Sequence, residues 1–184
     1  MVSQFVSTDE VRLLGDLDFV FPPGTHALGR LDKDSEGLLL LTTDKRATSL
    51  LFSDGVPHLR TYLVMVQNEL SAKTFGQLKT GIIIKIKNGE NYLARPTEIK
   101  RIEKATLYYP FATDHRDAYP HTWLLITLTE GKYRQVRKMV QAARHRCLRL
   151  IRLSISDITL NNLKPGEVRE MNEENFYRLL RIHF

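Results

Sequence analysis

Three carboxylates stand at alternating positions directly ahead of an apolar run. Asp32, Asp34 and Glu36 precede Gly37, and four consecutive leucines follow at positions 38–41. A carboxylate beside a buried strand is costly unless it is paired or hydrogen-bonded, so the placement indicates a specific role for these acids. A carboxylate shielded from water can act as a nucleophile and form a covalent intermediate. The alternative, for a single aspartate in a turn, is that it only caps the backbone.

The same spacing also resembles the first half of a calcium-binding loop. Such a loop needs a bidentate glutamate at its twelfth position, which here is Thr43, and this segment continues as an apolar strand. A zinc site is disfavoured because six scattered histidines and one cysteine give no ligand spacing. The sequence has no phosphate-loop or dinucleotide-binding glycine pattern. We therefore expect neither a metal ion nor a small-molecule cofactor.

The positive charge of the chain is concentrated in one segment. The net charge is +6, yet residues outside 131–152 comprise 19 basic and 21 acidic residues. Concentrated charge of this kind predicts a polyanionic partner, nucleic acid above all, whereas an ordinary solvated face carries both signs. The eight basic residues of the segment are Lys132, Arg134, Arg137, Lys138, Arg144, Arg146, Arg149 and Arg152.

Length and composition predict one domain with a monomer as the default. The chain has 184 residues, no apolar stretch long enough to span a membrane and no signal-peptide pattern. Its single cysteine, Cys147, excludes an intramolecular disulfide and fits a reducing cytosol. We expect a cytoplasmic protein without a membrane partner, in which Cys147 is a small buried residue rather than a reactive thiol.

Hydrophobic periodicity and turn signals predict an α+β fold with a mixed, mostly antiparallel sheet. An aromatic loop over 105–121 either covers the core or stacks on unpaired bases. The predicted helices cover weakly patterned residues 9–17, and then 44–52, 71–79, 133–144 and 173–181. The predicted strands are 27–31, 37–43, 60–66, a hairpin of 82–87 and 91–95, 97–104, 122–129, 148–155 and 157–160.

Three separated motifs resemble those of the RsuA-like pseudouridine synthases, in the order of that family. They are the run GRLDKDSEGLLLLT at 29–42, RTYLV at 60–64 and EGKYRQVRKM at 130–139. The aromatic loop before Trp123 is most similar to the RluE-like branch, which acts on large-subunit ribosomal RNA. The resemblance implies the pseudouridine synthase fold, with helices flanking the sheet and a central catalytic cleft.

The resemblance also implies the chemistry. Asp32 matches the catalytic nucleophile, Tyr62 the tyrosine that stacks on the target base, and Arg137 the basic residue that pairs with the nucleophile. The implied activity is isomerisation of a specific uridine in ribosomal RNA, with the large subunit favoured, after the base is flipped out. The alternative is a non-catalytic RNA-binding or ribosome-assembly factor on the same scaffold.

Further residues are expected to contact the RNA. Arg30 matches the arginine of the first motif and is our candidate for filling the stack that the flipped base leaves. Residues 1–184 are expected to form one catalytic domain without a separate N-terminal RNA-binding module and without the first strand of the family. The remaining predicted RNA contacts are Arg134, Gln135, Lys138, Arg144 and Arg149.

Overall fold

The fold is built on one central sheet, and the computed structural model of the chain describes residues 1–53, 57–113 and 115–182. Four helices accompany the strands in these ranges, and short 3₁₀ turns connect several of them. The helices are α1 (Arg46–Ser53), α2 (Ala72–Thr80), α3 (Gln135–Ala142) and α4 (Glu173–Leu180). The strands are β1 (His26–Leu28), β2 (Glu36–Gly37), β3 (Leu40–Thr42), β4 (Arg60–Gln67), β5 (Ile82–Lys85), β6 (Asn91–Ala94), β7 (Glu98–Ile102), β8 (His121–Leu128), β9 (Cys147–Ile155) and β10 (Ile158–Thr159).

The central sheet has the order β10-β9-β4-β8-β7, and all of these neighbours are antiparallel. The short strand β2 joins β9 in parallel, so the sheet is mixed but mostly antiparallel, as the turn pattern predicts. Two small antiparallel pairs, β1 with β3 and β5 with β6, lie outside this order. The predicted α+β class is confirmed.

Both faces of the central strand β4 are buried. Leu63 and Met65 point into one apolar cluster, and Val64 and Val66 point into another, because successive side chains of a strand alternate between faces. Residues of α1 and α4 cover the first face, and residues of α2, α3 and the β5–β6 hairpin cover the second. The functional cleft opens where β4 and β9 meet the loops that follow β1 and β8.

Strongly periodic segments match their predictions. The stripe predicted for α3, which consists of Val136, Met139, Val140 and Ala143, is buried. The β5–β6 hairpin pairs in the predicted place around the Asn88-Gly89 turn. In the aromatic loop, Tyr109 is buried in the core, while Tyr108 and Tyr119 are exposed. Covering of the core is therefore observed for Tyr109, and stacking on bases stays a prediction.

Two predicted elements are wrong. Residues 9–17 form no α-helix, and only a 3₁₀ turn at Leu14–Asp16 is present there. The predicted strand 37–43 is divided into β2, which pairs with β9, and β3, which pairs with β1. The division follows Gly37, whose φ of +99° is incompatible with continuous extended backbone and redirects the chain between the two partners.

Candidate active site

A cleft of about 540 Å³ lies at the junction of the three predicted motifs. Its walls come from residues 28–32, 35 and 36, from β4 and β9, and from residues 128–136, which lead into α3. Asp32 and Tyr62 both line this cleft, as do Arg30 and Arg134. Side chains separated by more than a hundred positions in the sequence thus share one cavity.

Asp32 begins a tight turn that holds its carboxylate at the cleft. Its backbone carbonyl accepts a hydrogen bond from the backbone amide of Ser35 at 2.8 Å. The Asp32 side chain retains 27% of its accessible surface and lies 3.6 Å from Nη1 of Arg134. The carboxylate is therefore partly shielded, next to a positive charge, and still open to a ligand in the cleft.

Arg134 is the cation that holds the acidic turn. It donates two parallel hydrogen bonds to the carboxylate of Asp34, at 2.8 and 2.7 Å, and also approaches Asp32. Its backbone is in the left-handed region at φ +53°, directly before α3, which turns the side chain towards the cleft. The hydrogen bond with Arg134 lowers the pKa of Asp34 and raises the pKa of Arg134.

The predicted contact between Arg137 and Asp32 is wrong in this structure. Arg137 Nη1 lies 3.4 Å from the carboxylate of Asp34, and its Nη2 donates to the Asp34 carbonyl and to Ser35 Oγ. Nη1 also donates to the carbonyl of Cys147 at 3.4 Å. Arg137 lies one turn further along the helix than Arg134, so its guanidinium reaches the far end of the acidic turn and fixes the backbone there.

Tyr62 lies on β4, opposite Arg152 of β9 and Ile126 of β8. It is partly exposed and lines the cleft, so its ring is accessible to a planar ligand. Arg30 is exposed at the mouth of the same cleft, two residues before Asp32. The structure thus brings Asp32, Tyr62 and Arg30 to one cavity, as the motifs predict.

Gln135 lines the cleft but is almost fully buried, so its RNA contact stays a prediction. It is 3% exposed, its Oε1 accepts from the backbone amide of Lys132, and its Nε2 donates to Glu130 at 2.6 Å. Glu130 also accepts from the hydroxyl of Tyr92, and this hydrogen bond raises the pKa of Tyr92 to about 12. Gln135 therefore shapes the turn that carries Arg134 into the cleft.

Two of the predicted phosphate-binding residues lie on α3 or just after it. Lys138 is half-buried, donates to the carbonyl of Lys85 at 2.7 Å, and lies 5.2 Å from the ring centroid of the exposed Tyr133. Arg144 is exposed just beyond the end of α3, with a left-handed backbone at φ +62°. Of the two, Arg144 has the greater freedom to meet an external anion.

Arg149 makes mainly structural contacts, and its role in RNA binding stays a prediction. Its side chain is 6% exposed and donates two hydrogen bonds of 2.7 Å to Glu36. It also donates to the backbone carbonyls of Phe111 and Ala112. The guanidinium therefore ties β9 to both the acidic turn and the aromatic loop, and it is turned away from solvent.

We expect Arg149→Gln to lower the free energy of unfolding by roughly 2 kcal/mol, because it removes charged hydrogen bonds in a mostly buried setting. Chemical denaturation followed by circular dichroism measures this change. Arg178→Gln, at an exposed position on α4, is the control and should change stability by less than about 0.5 kcal/mol. Equal stabilities of the two variants would contradict the structural role of Arg149.

Two buried arginines of the cleft were not predicted as site residues. Arg60 on β4 is 9% exposed and Arg152 on β9 is 6% exposed, and both line the cleft. Burial lowers the pKa of each. Two signals could have identified them: Arg60 opens the second motif, and Arg152 is a basic residue within an apolar strand.

The thiol of Cys147 is disfavoured as a nucleophile. Burial raises the pKa of the Cys147 thiol to about 11, which disfavours the reactive thiolate and agrees with its predicted packing role. Within residues 1–53, 57–113 and 115–182, no group of three or more His, Cys, Asp or Glu side chains could hold a metal ion. In the same ranges, no helix has the length and apolar character needed to cross a bilayer.

Comparisons with known proteins agree with the geometry. Residues 18–142 match the family model of RNA pseudouridylate synthases. A ribosomal large subunit pseudouridine synthase E of Xanthomonas campestris is 35% identical over 173 residues, which are 92% of this chain and 89% of the relative. The enzyme of the same name from Vibrio parahaemolyticus is 34% identical over 171 residues, which are 92% of this chain and 69% of the relative.

A solved structure supports the same assignment. A crystal structure described as a pseudouridylate synthase superposes with a TM-score of 0.68 at 26% sequence identity, covering 88% of this chain and 63% of that one. The family model, the curated relatives and this fold agree with the three sequence motifs. The chain is therefore an enzyme of the RNA pseudouridylate synthase family.

Proposed function

We propose that this protein converts a specific uridine of ribosomal RNA, with the large subunit favoured, to pseudouridine, and that Asp32 is the nucleophile. The observation that carries the proposal is the shared cleft of Asp32 and Tyr62, with Arg134 beside the carboxylate. The names of the relatives from Xanthomonas and Vibrio support a large-subunit substrate. In this proposal residues 1–184 act as one catalytic domain, in the cytoplasm and as a monomer.

The reaction exchanges bonds within one nucleotide. The bond from ribose C1′ to uracil N1 breaks, the base rotates, and a bond from C1′ to C5 forms, so neither a redox cofactor nor an external energy source is required. Asp32 forms a covalent intermediate by attacking C1′ or uracil C6. Tyr62 stacks on the base and keeps it in the cleft between the two bond exchanges.

The target base must leave its stack before it can reach Asp32. Flipping a paired uridine costs a few kcal/mol, which contacts to the protein must offset. Arg30 is suited to fill the vacated space, because it is exposed at the mouth of the cleft only two residues from the proposed nucleophile. Backbone phosphates on either side of the target would meet Lys132, Lys138 and Arg144.

Removing the positive charge of Arg144 tests whether this residue contacts the RNA backbone. We expect Arg144→Gln to weaken RNA binding and to reduce the slope of log K against log salt by roughly 0.7 to 0.9, the contribution of one phosphate contact. Fluorescence anisotropy over a series of salt concentrations measures both quantities. Arg178→Gln on the opposite layer should leave the slope unchanged, and an unchanged slope for Arg144→Gln would remove this residue from the interface.

The proposal itself is tested with unmodified ribosomal RNA. The purified protein is incubated with large-subunit and, separately, small-subunit RNA transcripts, and pseudouridine is mapped by carbodiimide treatment and primer extension. We expect a single new stop in the large-subunit RNA. A stop only in small-subunit RNA would overturn the choice of subunit, and binding without any stop would favour the assembly-factor alternative.

A further inference from the structure

Arg152 lines the cleft and is a buried cation with an unsatisfied donor. Its residue exposure is 6%, its Nε donates to the carbonyl of Leu38 at 2.8 Å, and its Nη1 donates to the carbonyl of Arg30 at 3.4 Å. Its Nη2 makes no hydrogen bond within 3.5 Å, although the guanidinium interacts with the neighbouring phenol of Tyr62. A buried unsatisfied donor is costly, and more so on a charged group, so a missing partner is indicated.

The charge of Arg152 is also unbalanced. Among the residues that the structure describes, no carboxylate oxygen lies within 4.0 Å of its guanidinium. Arg149, three positions earlier on the same strand, is equally buried but has a bidentate carboxylate partner in Glu36. Burial lowers the pKa of Arg152, while the neighbouring phenol of Tyr62 opposes that change. Among the described residues, Arg152 is thus a buried guanidinium without a carboxylate partner, beside the proposed base-stacking tyrosine.

We propose that Nη2 of Arg152 donates a hydrogen bond to a carbonyl oxygen of the flipped uracil and stabilises the negative charge that this oxygen gains during the reaction. This inference rests on the proposed function and adds a catalytic residue to it. Only one amino group of Arg152 is available, which suits a single carbonyl oxygen better than a phosphate, since guanidinium groups bind phosphate through two parallel donors.

The electron balance explains why a cation is useful at this point. When Asp32 attacks C1′, an oxygen–C1′ bond forms and the C1′–N1 bond breaks, and N1 keeps the electron pair, which is shared with O2 and O4. When C5 then attacks C1′, the ester bond breaks and returns its electron pair to Asp32. The C5 proton is lost and N1 gains a proton, so the whole sequence is an isomerisation. If Asp32 adds to C6 instead, the C5=C6 electron pair moves to C5 and O4, and a negative charge again develops on O4. Elimination later breaks the Asp32–C6 bond and returns its electron pair to Asp32.

A donor that is buried before the substrate arrives stabilises such a charge without reorganisation, and removing a donor of this kind costs roughly 10²- to 10³-fold in rate. Arginine also discriminates between pyrimidines, because it only donates. It can pair with O4 of uracil, whereas the amino group of cytosine at that position is itself a donor. If the contacted oxygen is O4, Arg152 serves base selection as well as turnover; a contact with O2 would serve turnover alone.

The experiment measures single-turnover rates and RNA affinity separately, on a short RNA that carries the mapped uridine. We expect Arg152→Gln to slow the reaction roughly 10²- to 10³-fold with an RNA Kd within about threefold of the unsubstituted protein. The single-turnover rate of Arg152→Lys should lie between the rates of Arg152→Gln and the unsubstituted protein, because lysine keeps the charge but loses the fixed fork of donors. Arg178→Gln on α4 serves as the matched loss of an arginine and should leave both quantities unchanged.

A double-substitution cycle between the protein and the RNA base identifies which uracil oxygen Arg152 contacts. The target uridine is replaced by 2-thiouridine or 4-thiouridine, because sulfur accepts hydrogen bonds weakly. At the contacted position, sulfur should lower the rate of the unsubstituted protein but should lower the rate of Arg152→Gln or Arg152→Lys little further. At the other position, the rate losses caused by the sulfur and by the protein substitution should multiply. Multiplying effects at both positions, or an Arg152→Gln rate equal to that of the unsubstituted protein, would overturn this inference alone. Absence of pseudouridine with the unsubstituted protein would instead overturn the proposed function.

Discussion

Asp32→Asn is expected to abolish pseudouridine formation while RNA binding is retained. The amide keeps the size of the side chain but cannot act as a nucleophile, and the loss of a covalent nucleophile typically costs roughly 10⁴-fold or more in rate. Affinity should stay the same or increase, because the variant removes a negative charge from a cleft that binds a polyanion. Single-turnover assays on the mapped RNA and anisotropy titrations measure the two effects.

Asp34→Asn is the matched control for this prediction. Asp34 lies two residues away and is the main partner of Arg134, yet it is absent from the residues that line the described cleft. Its replacement should loosen Arg134 and reduce the rate far less than Asp32→Asn does. Pseudouridine formation by Asp32→Asn at the unsubstituted rate, or equal defects in the two variants, would make the assignment of the nucleophile wrong.

Local sequence patterns predicted those parts of the fold that depend on local interactions. The stripe of α3 is confirmed because apolar residues at helical spacing bury one face wherever the helix packs. The four leucines at 38–41 carry no period, so the pattern could not reveal that Gly37 ends β2 and that β3 pairs elsewhere. The parallel contact of β2 with β9 joins segments more than a hundred positions apart, which no local signal encodes.

The candidate site was predicted at the level of motifs and less well at the level of contacts. Arg134 and Arg137 are three positions apart, so both face the acidic turn, and their spacing does not decide which of them reaches Asp32. In the structure it is Arg134, whose backbone is left-handed at the start of α3, that lies next to Asp32. Likewise, charge alone could not predict that Arg144 is exposed and Arg149 is buried. The carboxylate partner of Arg149 is Glu36, which lies in a distant segment of the sequence.

The arginines around the cleft divide into distinct roles. Arg149 and Arg137 hold the acidic turn against β9 through carboxylate and carbonyl contacts, and Arg134 supplies the charge beside Asp32. Arg152 has a buried donor, Nη2, without a hydrogen bond. Such a donor lowers the stability of the fold, and it therefore indicates a function. Because Gly37 packs directly against the backbone of Arg152, the placement of this donor depends on a residue that carries no side chain.

Gly37→Ala is accordingly expected to lower the free energy of unfolding by roughly 3–5 kcal/mol, through positive-φ strain together with overpacking. A Cβ at this position would lie 2.4 Å from the carbonyl oxygen and 2.6 Å from the amide nitrogen of Arg152, and backbone atoms cannot move aside as a flexible side chain can. Its φ of +99° adds strain for any residue with a Cβ. The parallel pairing of β2 with β9 would separate, and the acidic turn would lose its anchor.

The control for this prediction is Gly76→Ala on α2, where an added Cβ would meet no atom within 4 Å. Alanine favours the helix over glycine, so this variant should be more stable by roughly 0.5–1 kcal/mol. Urea denaturation of both variants tests the contrast. A Gly37→Ala variant as stable as the unsubstituted protein would mean that β2 does not press against β9, and the position inferred for the guanidinium of Arg152 would then be wrong as well.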